Sequence, residues 1–117
     1  MASRTSSPLV HPDAADFDLF TVMSALSDPT RLGIVIMLSN DPGLNCGGFY
    51  RDVTPSVLTR HFRVLREAGV IRQEDVGNQR VNTLRKDELD RRFPGLLDLV
   101  INEGADRAAP FPGLSLP

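Results

Sequence analysis

The sequence predicts a mainly α-helical fold with one small β-hairpin, an α+β arrangement within a single domain. Apolar residues recur at helical spacing in several separate segments of the chain. Two short stretches in its second half flank the glycine-containing turn Val76-Gly77-Asn78 and predict the hairpin. With 117 residues the chain is long enough for one domain with its own core and too short for two.

The first two helices are predicted from residue 16 to residue 40. Over residues 16–27, four apolar positions recur at helical spacing: Phe17, Phe20, Met23 (or Val22) and Leu26. Asp28 and Pro29 then supply a capping acceptor and a proline suited to the first helical position. The helix that follows is apolar nearly all round from residue 32 to residue 38, which predicts a buried central helix. It ends at the stretch Asn40-Asp41-Pro42-Gly43.

The third helix and the hairpin follow after an irregular stretch. Residues 44–53 contain two adjacent glycines, so we expect no more than a short or irregular helical turn there. Thr54 and Pro55 open a helix that runs to Ala68, and Gly69 is predicted to end it in the left-handed conformation. Residues 70–75 and 79–85 are the predicted hairpin strands.

The chain is predicted to end in two helical segments and a tail. A short helical turn over Lys86–Arg92 is interrupted by Phe93-Pro94-Gly95, and a last apolar helix covers residues 96–103. We therefore expect a flexible N-terminal arm over residues 1–15, the folded domain over residues 16–103, and a flexible proline-rich tail over residues 104–117.

The charge of the chain is unevenly distributed. The formal net charge is −2, which argues against a strongly basic protein. Between Arg51 and Lys86, however, eight basic residues face four acidic ones, so this stretch has an excess of four positive charges. A basic middle between acidic flanks is compatible with one anion-facing surface.

Cysteine content and hydropathy indicate the compartment. Cys46 is the one cysteine, which excludes an intrachain disulfide and fits a reducing environment. No apolar run approaches the roughly 20 residues of a membrane span, and the N-terminus does not have the pattern of a secretory signal. We expect a cytoplasmic protein that does not enter a membrane.

The third helix has two chemically different faces. One face carries the apolar stripe Leu58, His61, Phe62, Leu65 and Ala68, widened by Val57 and Val64. Hydroxyl and guanidinium groups occupy the other face, which suits the major groove of DNA. With the hairpin as a wing, this order of elements predicts a winged helix-turn-helix. The candidate DNA contacts are Ser56, Thr59, Arg60, Arg63 and Arg66 on the helix, Arg51 before it, and Arg72, Asn78 and Arg80 on the wing.

Two segments that contain three motifs, for the start of the second helix, the recognition helix and the wing, also carry a family resemblance. The segments ALSDPTRLGIVIML and LTRHFRVLREAGVIRQEDVGNQRVNTL resemble the ArsR family (ArsR/SmtB-type) of winged-helix bacterial repressors. The resemblance covers about residues 17–101. It implies a homodimer formed by the first and last helices, a palindromic operator, and release by an inducer. It also implies that Ser56, Thr59 and Arg60 contact bases, while Pro55 stands where the family often has a polar residue.

The sequence does not supply a familiar metal site. Metal-sensing members of that family use a thiolate pair near the recognition helix, or paired Asp, His and Glu ligands on the last helix. Here Cys46 lacks a second cysteine, and the last helix has no histidine. What remains is His11 with Asp13 and Asp16, which could hold nickel or zinc with acids from a partner subunit. We expect no cofactor and an inducer of unknown chemistry.

The sequence is also compared with two other classes of protein, a protein-binding winged-helix module and an enzyme. A winged-helix module that binds protein instead of DNA is favoured by the acidic net charge and by Pro55. An enzyme is disfavoured, because the sequence shows no paired carboxylates at a useful spacing, no Cys/His pair and no phosphate-binding glycine loop. Arg60, Arg63 and Arg80 on one side favour the regulator over the interaction module.

Overall fold

The computed structural model describes residues 9–40 and 55–108. Within these ranges a short 3-10 turn, Ala14–Asp16, is followed by helices α1 (Leu19–Leu26), α2 (Pro29–Asn40) and α3 (Pro55–Ala68). The strands β1 (Ile71–Val76) and β2 (Gln79–Leu84) come next, then α4 (Lys86–Arg92), α5 (Leu96–Gly104) and a 3-10 turn, Ala105–Arg107. The α+β fold class and the winged helix-turn-helix architecture are confirmed. The predictions for residues 44–53, for Arg51 and for Cys46 lie outside the described residues.

Helix α1 begins three residues later than predicted. The carboxylate of Asp18 accepts hydrogen bonds from the backbone N–H of Thr21 (2.9 Å) and from its hydroxyl (2.9 Å), so Asp18 caps a helix that starts at Leu19. Phe17 therefore lies outside the helix, in an extended conformation, with its side chain buried in the core. Phe20, which shares the predicted stripe, is 76% exposed.

Helix α2 is the buried centre of the domain, as its composition predicted. Asp28 accepts hydrogen bonds from the backbone N–H groups of Thr30 (2.9 Å) and Arg31 (3.0 Å), which fixes the start of the helix. Every residue from Leu32 to Leu38 is buried. The main core forms around this helix with apolar side chains of α1, α3, β1, α4 and α5.

Helix α3 ends at Gly69, which has φ +90°, so the left-handed terminator is confirmed. The chain then enters an antiparallel hairpin in which Ile71 faces Leu84 and Val76 faces Gln79. Gly77, with φ +64°, allows the tight turn between the strands. Both strands agree with the prediction to within one residue at each end.

The C-terminal part of the domain extends further than predicted. Helix α5 runs to Gly104, and a 3-10 turn continues the ordered chain to Arg107. Ala105 is buried in a second small cluster with Leu32 and Ile36 of α2. This apolar contact packs Ala105, which follows the predicted last helix, against α2.

The described part of the N-terminal arm is hydrogen-bonded to the rest of the domain. Arg85 donates a hydrogen bond to the carbonyl of Pro12 (2.8 Å), and Arg92 donates one to the carbonyl of Ala14 (3.1 Å). His11 accepts a hydrogen bond at Nε2 from the backbone N–H of Gln73 (3.0 Å). These long-range bonds hold the arm against β1 and α4.

None of the helices within residues 9–40 and 55–108 is long and apolar enough to cross a membrane alone. Helices α1 and α2 reach that length and apolarity only as a pair, and the pair is bent by 95°.

Candidate nucleic-acid interface

Helix α3 presents a polar face to solvent and buries the opposite face. Ser56, Thr59, Arg60 and Arg63 are all exposed. Leu58, Phe62 and Leu65 on the other side are at most 2% exposed and join the main core. Because the buried side chains anchor the helix over its length, the exposed face is held in a defined orientation. Both faces agree with the sequence prediction at these positions.

Arg60 and Arg63 differ in their surroundings. Arg63 forms an ion pair with Glu67 one turn further along the helix, at 3.0 Å from Nε to Oε2. Arg60 has no ion pair with any residue of the ranges 9–40 and 55–108. Exposed pairs of this kind contribute little stability, so both guanidinium groups are available to an anionic ligand. Arg60 lies nearer the start of the helix, which is the end that enters the major groove in helix-turn-helix proteins.

His61 and Arg31 connect α3 to the rest of the domain. His61 is half-buried, and its Nδ1 lies 3.1 Å from the Nη1 atom of Arg31 in α2. The same guanidinium donates to the carbonyls of Ala25 (2.7 Å) and Ser24 (3.3 Å) at the end of α1. Burial is the main cause that lowers the pKa of His61; the charge of Asp28 raises it, and the charges of Arg31 and Arg60 lower it. The neutral imidazole therefore accepts the hydrogen bond, and one arginine joins three helices.

Arg66 does not share the exposed face, although the sequence placed it there. Its Nη1 donates to Oε1 of Gln73 (2.7 Å), and Gln73 in turn donates from Nε2 to Oδ1 of Asn82 (2.8 Å). Gln73 and Asn82 are buried and lie opposite each other in the hairpin. Arg66 thus ties α3 to the wing. Helical spacing did not reveal the bond between Arg66 and Gln73, because it assigns residues to the sides of one helix and does not show which elements pack against each side.

The wing presents a mixed surface. Asn78 is exposed in the turn, as expected for a wing-tip contact. Arg80 is half-buried and pairs with Asp75 across the hairpin, at 2.9 Å from Nε to Oδ1. The register places this pair one step from the turn, so Arg80 lies near the tip of the wing.

Arg72 lies at the other end of the hairpin. It faces Thr83, one pair away from the base of the strands, and its guanidinium is 3.7 Å from Oε1 of Glu88 in α4. Glu88 also pairs with the buried Arg85. The register therefore places Arg72 at the end of the hairpin away from the wing tip, and its ion pair is with α4, although the sequence grouped it with the other candidate contacts.

The candidate metal ligands of the N-terminal arm are not brought together as a site. His11 uses Nε2 to accept the hydrogen bond from Gln73, and Asp13 and Asp16 are both exposed. Burial, followed by the nearby Arg72, lowers the pKa of His11. Within residues 9–40 and 55–108, no group of three His, Cys, Asp or Glu side chains is arranged to hold a metal ion.

Sequence reasoning missed the roles of Arg31, Gln73 and Asn82. Arg31 lies in the DPTR stretch that carries the family resemblance, but nothing local to that stretch reveals a bond to a residue thirty positions away. Gln73 and Asn82 look like ordinary polar strand residues. A polar residue at an inward position of each strand was the available signal, since such residues need each other as partners.

Comparison with known proteins shows the family to which this architecture belongs. Residues 26–74 match the family model of a helix-turn-helix domain. The chain is 31% identical over 80 residues to the uncharacterized HTH-type transcriptional regulator YceK of Bacillus subtilis (strain 168), a stretch that covers 66% of this chain and 80% of that protein. The chain belongs to the helix-turn-helix family of transcriptional regulators.

The matched region of this regulator coincides with the elements described above. It begins at the end of α1, includes α2 and α3, and ends within β1 of the wing. The exposed face of α3 thus lies in the part of the regulator that defines the family. The function class that follows is DNA binding in the regulation of transcription. Membership of this family does not suggest an enzymatic activity.

Proposed function

We propose that the regulator binds DNA sequence-specifically through α3, as a homodimer on a palindromic operator, and that it represses transcription until an inducer releases it. The observation that carries this proposal is the exposed face of α3. Ser56, Thr59 and Arg60 form a row of donors at the start of a helix whose other face is buried. Arginine pairs bidentately with guanine, and hydroxyls contact bases or phosphates.

The exposed apolar side chains of α1 and α5 support a homodimer. On α1, Phe20 is 76% exposed, with Leu19 and Met23 also exposed. On α5, Leu99 is 58% exposed. We take the exposed apolar groups on these two helices as the interaction surface. A second copy of the chain that covers them would place two α3 helices on one duplex, ideally about 34 Å apart for successive major grooves.

The wing completes the proposed interface. Asn78 and Arg80 would contact the DNA backbone or the minor groove, with Arg80 exchanging Asp75 for a phosphate. Arg63 would exchange Glu67 in the same way. We assign Arg72 and Arg66 no primary contact with DNA, because Arg72 pairs with Glu88 of α4 and Arg66 donates a hydrogen bond to Gln73.

The finer assignment to the ArsR family rests on the motifs around α2 and α3. We propose a cytoplasmic, ArsR-type repressor without a resident metal or other cofactor, whose inducer binds near the dimer interface. An inducer there would act through its different affinity for the DNA-competent and DNA-incompetent arrangements of the dimer.

A second candidate function is a winged-helix module that binds protein. The ion pairs Arg63–Glu67 and Arg80–Asp75 favour it, since acidic neighbours lower the positive potential of the face that would meet DNA.

Fluorescence anisotropy distinguishes these functions. The full chain is titrated against its own upstream intergenic duplex and against a scrambled duplex of the same composition, at two salt concentrations. A specific regulator binds the native duplex more tightly, and its affinity falls steeply with salt. Weak and equal binding to both duplexes would favour the interaction module.

Arginine variants test the roles of individual residues in the same assay. Arg60→Ala should cost about 1–3 kcal/mol on the native duplex and little on the scrambled one, because it removes a base contact. Arg80→Ala should weaken binding to both duplexes equally and reduce the salt slope by about one. Arg91→Ala, at an exposed arginine of α4, is the matched control. Equal losses on both duplexes for Arg60→Ala would contradict its base-reading role.

Sedimentation equilibrium tests the dimer. Phe20→Glu should shift the regulator toward monomers without unfolding it, because this side chain is outside the core of a single chain. Val10→Glu, at an apolar residue of the arm that is 73% exposed, should leave the assembly unchanged. A dimer that tolerates Phe20→Glu would exclude α1 from the interface.

A further inference from the structure

Val57 is an exposed apolar side chain at the edge of the polar face of the recognition helix α3. The sequence assigned it to the buried stripe, yet it is 45% exposed, whereas the adjacent Leu58 is 2% exposed. The other large apolar side chains that are exposed within residues 9–40 and 55–108 belong to the arm, α1, the wing and α5. Packing in the core therefore does not account for a valine at this position.

Helix stability does not account for Val57 either. A β-branched residue is a poorer helix former than alanine, because its side chain loses rotamer freedom against the preceding turn. A single exposed apolar residue is ordinary on a protein surface. This one, however, lies in the first turn of α3, and Arg60 follows it at the i+3 position. Residues three apart are neighbours on a helix surface, so Val57 occupies the position next to the arginine that is proposed to read a base.

The chemistry of the major groove provides a partner for such a group. Base edges there display hydrogen-bond donors and acceptors, and thymine adds one apolar feature, its C5-methyl group. Residues at the start of a recognition helix are those that reach base edges. We infer that Val57 is a specificity-determining residue that contacts the C5-methyl group of a thymine adjacent to the base read by Arg60. This inference rests on the proposed function.

The test uses uracil, which pairs like thymine and lacks only the methyl group. Duplexes are first enriched from a random pool with the full-length regulator. Thymines of an enriched duplex are then replaced one at a time by deoxyuridine, and affinities are measured by anisotropy. The native chain should lose about fourfold in affinity at one thymine position of each half-site, as expected for one buried methyl group. Replacement in both half-sites should cost about fifteenfold.

The variant Val57→Ala identifies the residue that reads the methyl group. It should bind thymine and uracil duplexes with equal affinity, at the level of the native chain on the uracil duplex. Alanine is the better helix former, so a loss of folding does not explain such a result, and a thermal melt verifies it. Val10→Ala makes the same chemical change at an exposed valine of the arm and should keep the full sensitivity to the methyl group.

The outcomes separate this inference from the proposed function. If no duplex is enriched, the proposed function fails and the inference fails with it. If duplexes are enriched but no thymine position is sensitive to the methyl group, only the inference is overturned. It is also overturned if Val57→Ala keeps the native sensitivity, or if it weakens both duplexes equally, as it would if Val57 contacted a partner subunit.

Discussion

Phe17 and Phe20 lie three residues apart, and the structure predicts opposite consequences for their replacement. Phe17 is 4% exposed and belongs to the main core. The guanidinium of Arg85 lies over its ring at 4.9 Å from the centroid, and the ring also packs against the backbone of Gly69. Phe20 is 76% exposed and takes no part in the core of a single chain.

The expected magnitude for Phe17→Ala comes from these contacts. Truncation of a buried phenylalanine typically costs about 3–5 kcal/mol, from lost apolar burial and the remaining cavity. The lost cation–π contact adds about 0.5–1 kcal/mol. Since the total stability of such a domain is about 5–15 kcal/mol, this is a large fraction of it. At about 4 °C per kcal/mol, the midpoint of thermal unfolding should fall by roughly 14–24 °C.

Urea and thermal unfolding followed by circular dichroism measure both variants. Phe20→Ala should change the free energy of unfolding of the monomer by no more than about 0.5 kcal/mol. Both variants are compared at several protein concentrations, because dimerisation adds a stability that depends on concentration. Similar losses for the two variants at low concentration would refute the placement of Phe17 in the core and of Phe20 outside it.

Three further predictions concern Gly69, Arg31 and the pH dependence of stability. In urea unfolding, Gly69→Ala should lower the free energy of unfolding by about 1–3 kcal/mol more than Gly77→Ala. Both glycines have positive φ, but only at Gly69 would the added methyl group overlap an aromatic ring, that of Phe17. Arg31→Met should lower the free energy of unfolding by roughly 2–3 kcal/mol in the same assay, because it removes charged hydrogen bonds to the end of α1 and to His61. A loss below about 0.5 kcal/mol would mean that these bonds do not join the helices. Because the pKa of His61 is lowered in the folded chain, the unfolded chain binds a proton at this residue more readily. The free energy of unfolding should therefore be highest above pH 6.5 and decline below it. His61→Gln should make that decline shallower in melts between pH 7.5 and 5, and an unchanged decline would exclude His61 as a source.

Local sequence accounts for most of the fold. The apolar run of α2 predicted a central helix, because residues that are apolar all round are stable only when surrounded by protein. The stop at Gly69 and the hairpin turn at Gly77 were predictable, since both need positive φ and glycine adopts it without strain. The ends of α1 and α5 were less accurate. They depend on a cap at Asp18 and on the contact of Ala105 with α2, which compete with simple periodicity.

The candidate interface was predictable only in outline. Helical spacing separated the Arg60 side of α3 from the Leu58 side, because that separation depends on a property of one helix, its 3.6-residue repeat. Whether a residue at the edge of a face is exposed depends on which element packs there. Helical spacing placed Val57 with the core and Arg66 with the solvent. In the structure, Val57 is exposed and Arg66 donates a hydrogen bond to Gln73.

The chain's own pattern of residues thus dictates the helices, the hairpin and the amphipathic recognition helix, since these depend on backbone preferences and on the spacing of apolar groups. Long-range packing selects which side chains of that helix remain free. It turns Arg66 toward the wing and leaves Arg60 and Val57 at the surface. The physical reason is that burial and hydrogen bonding are satisfied by partners distant in sequence, and only the folded arrangement determines which partners are within reach.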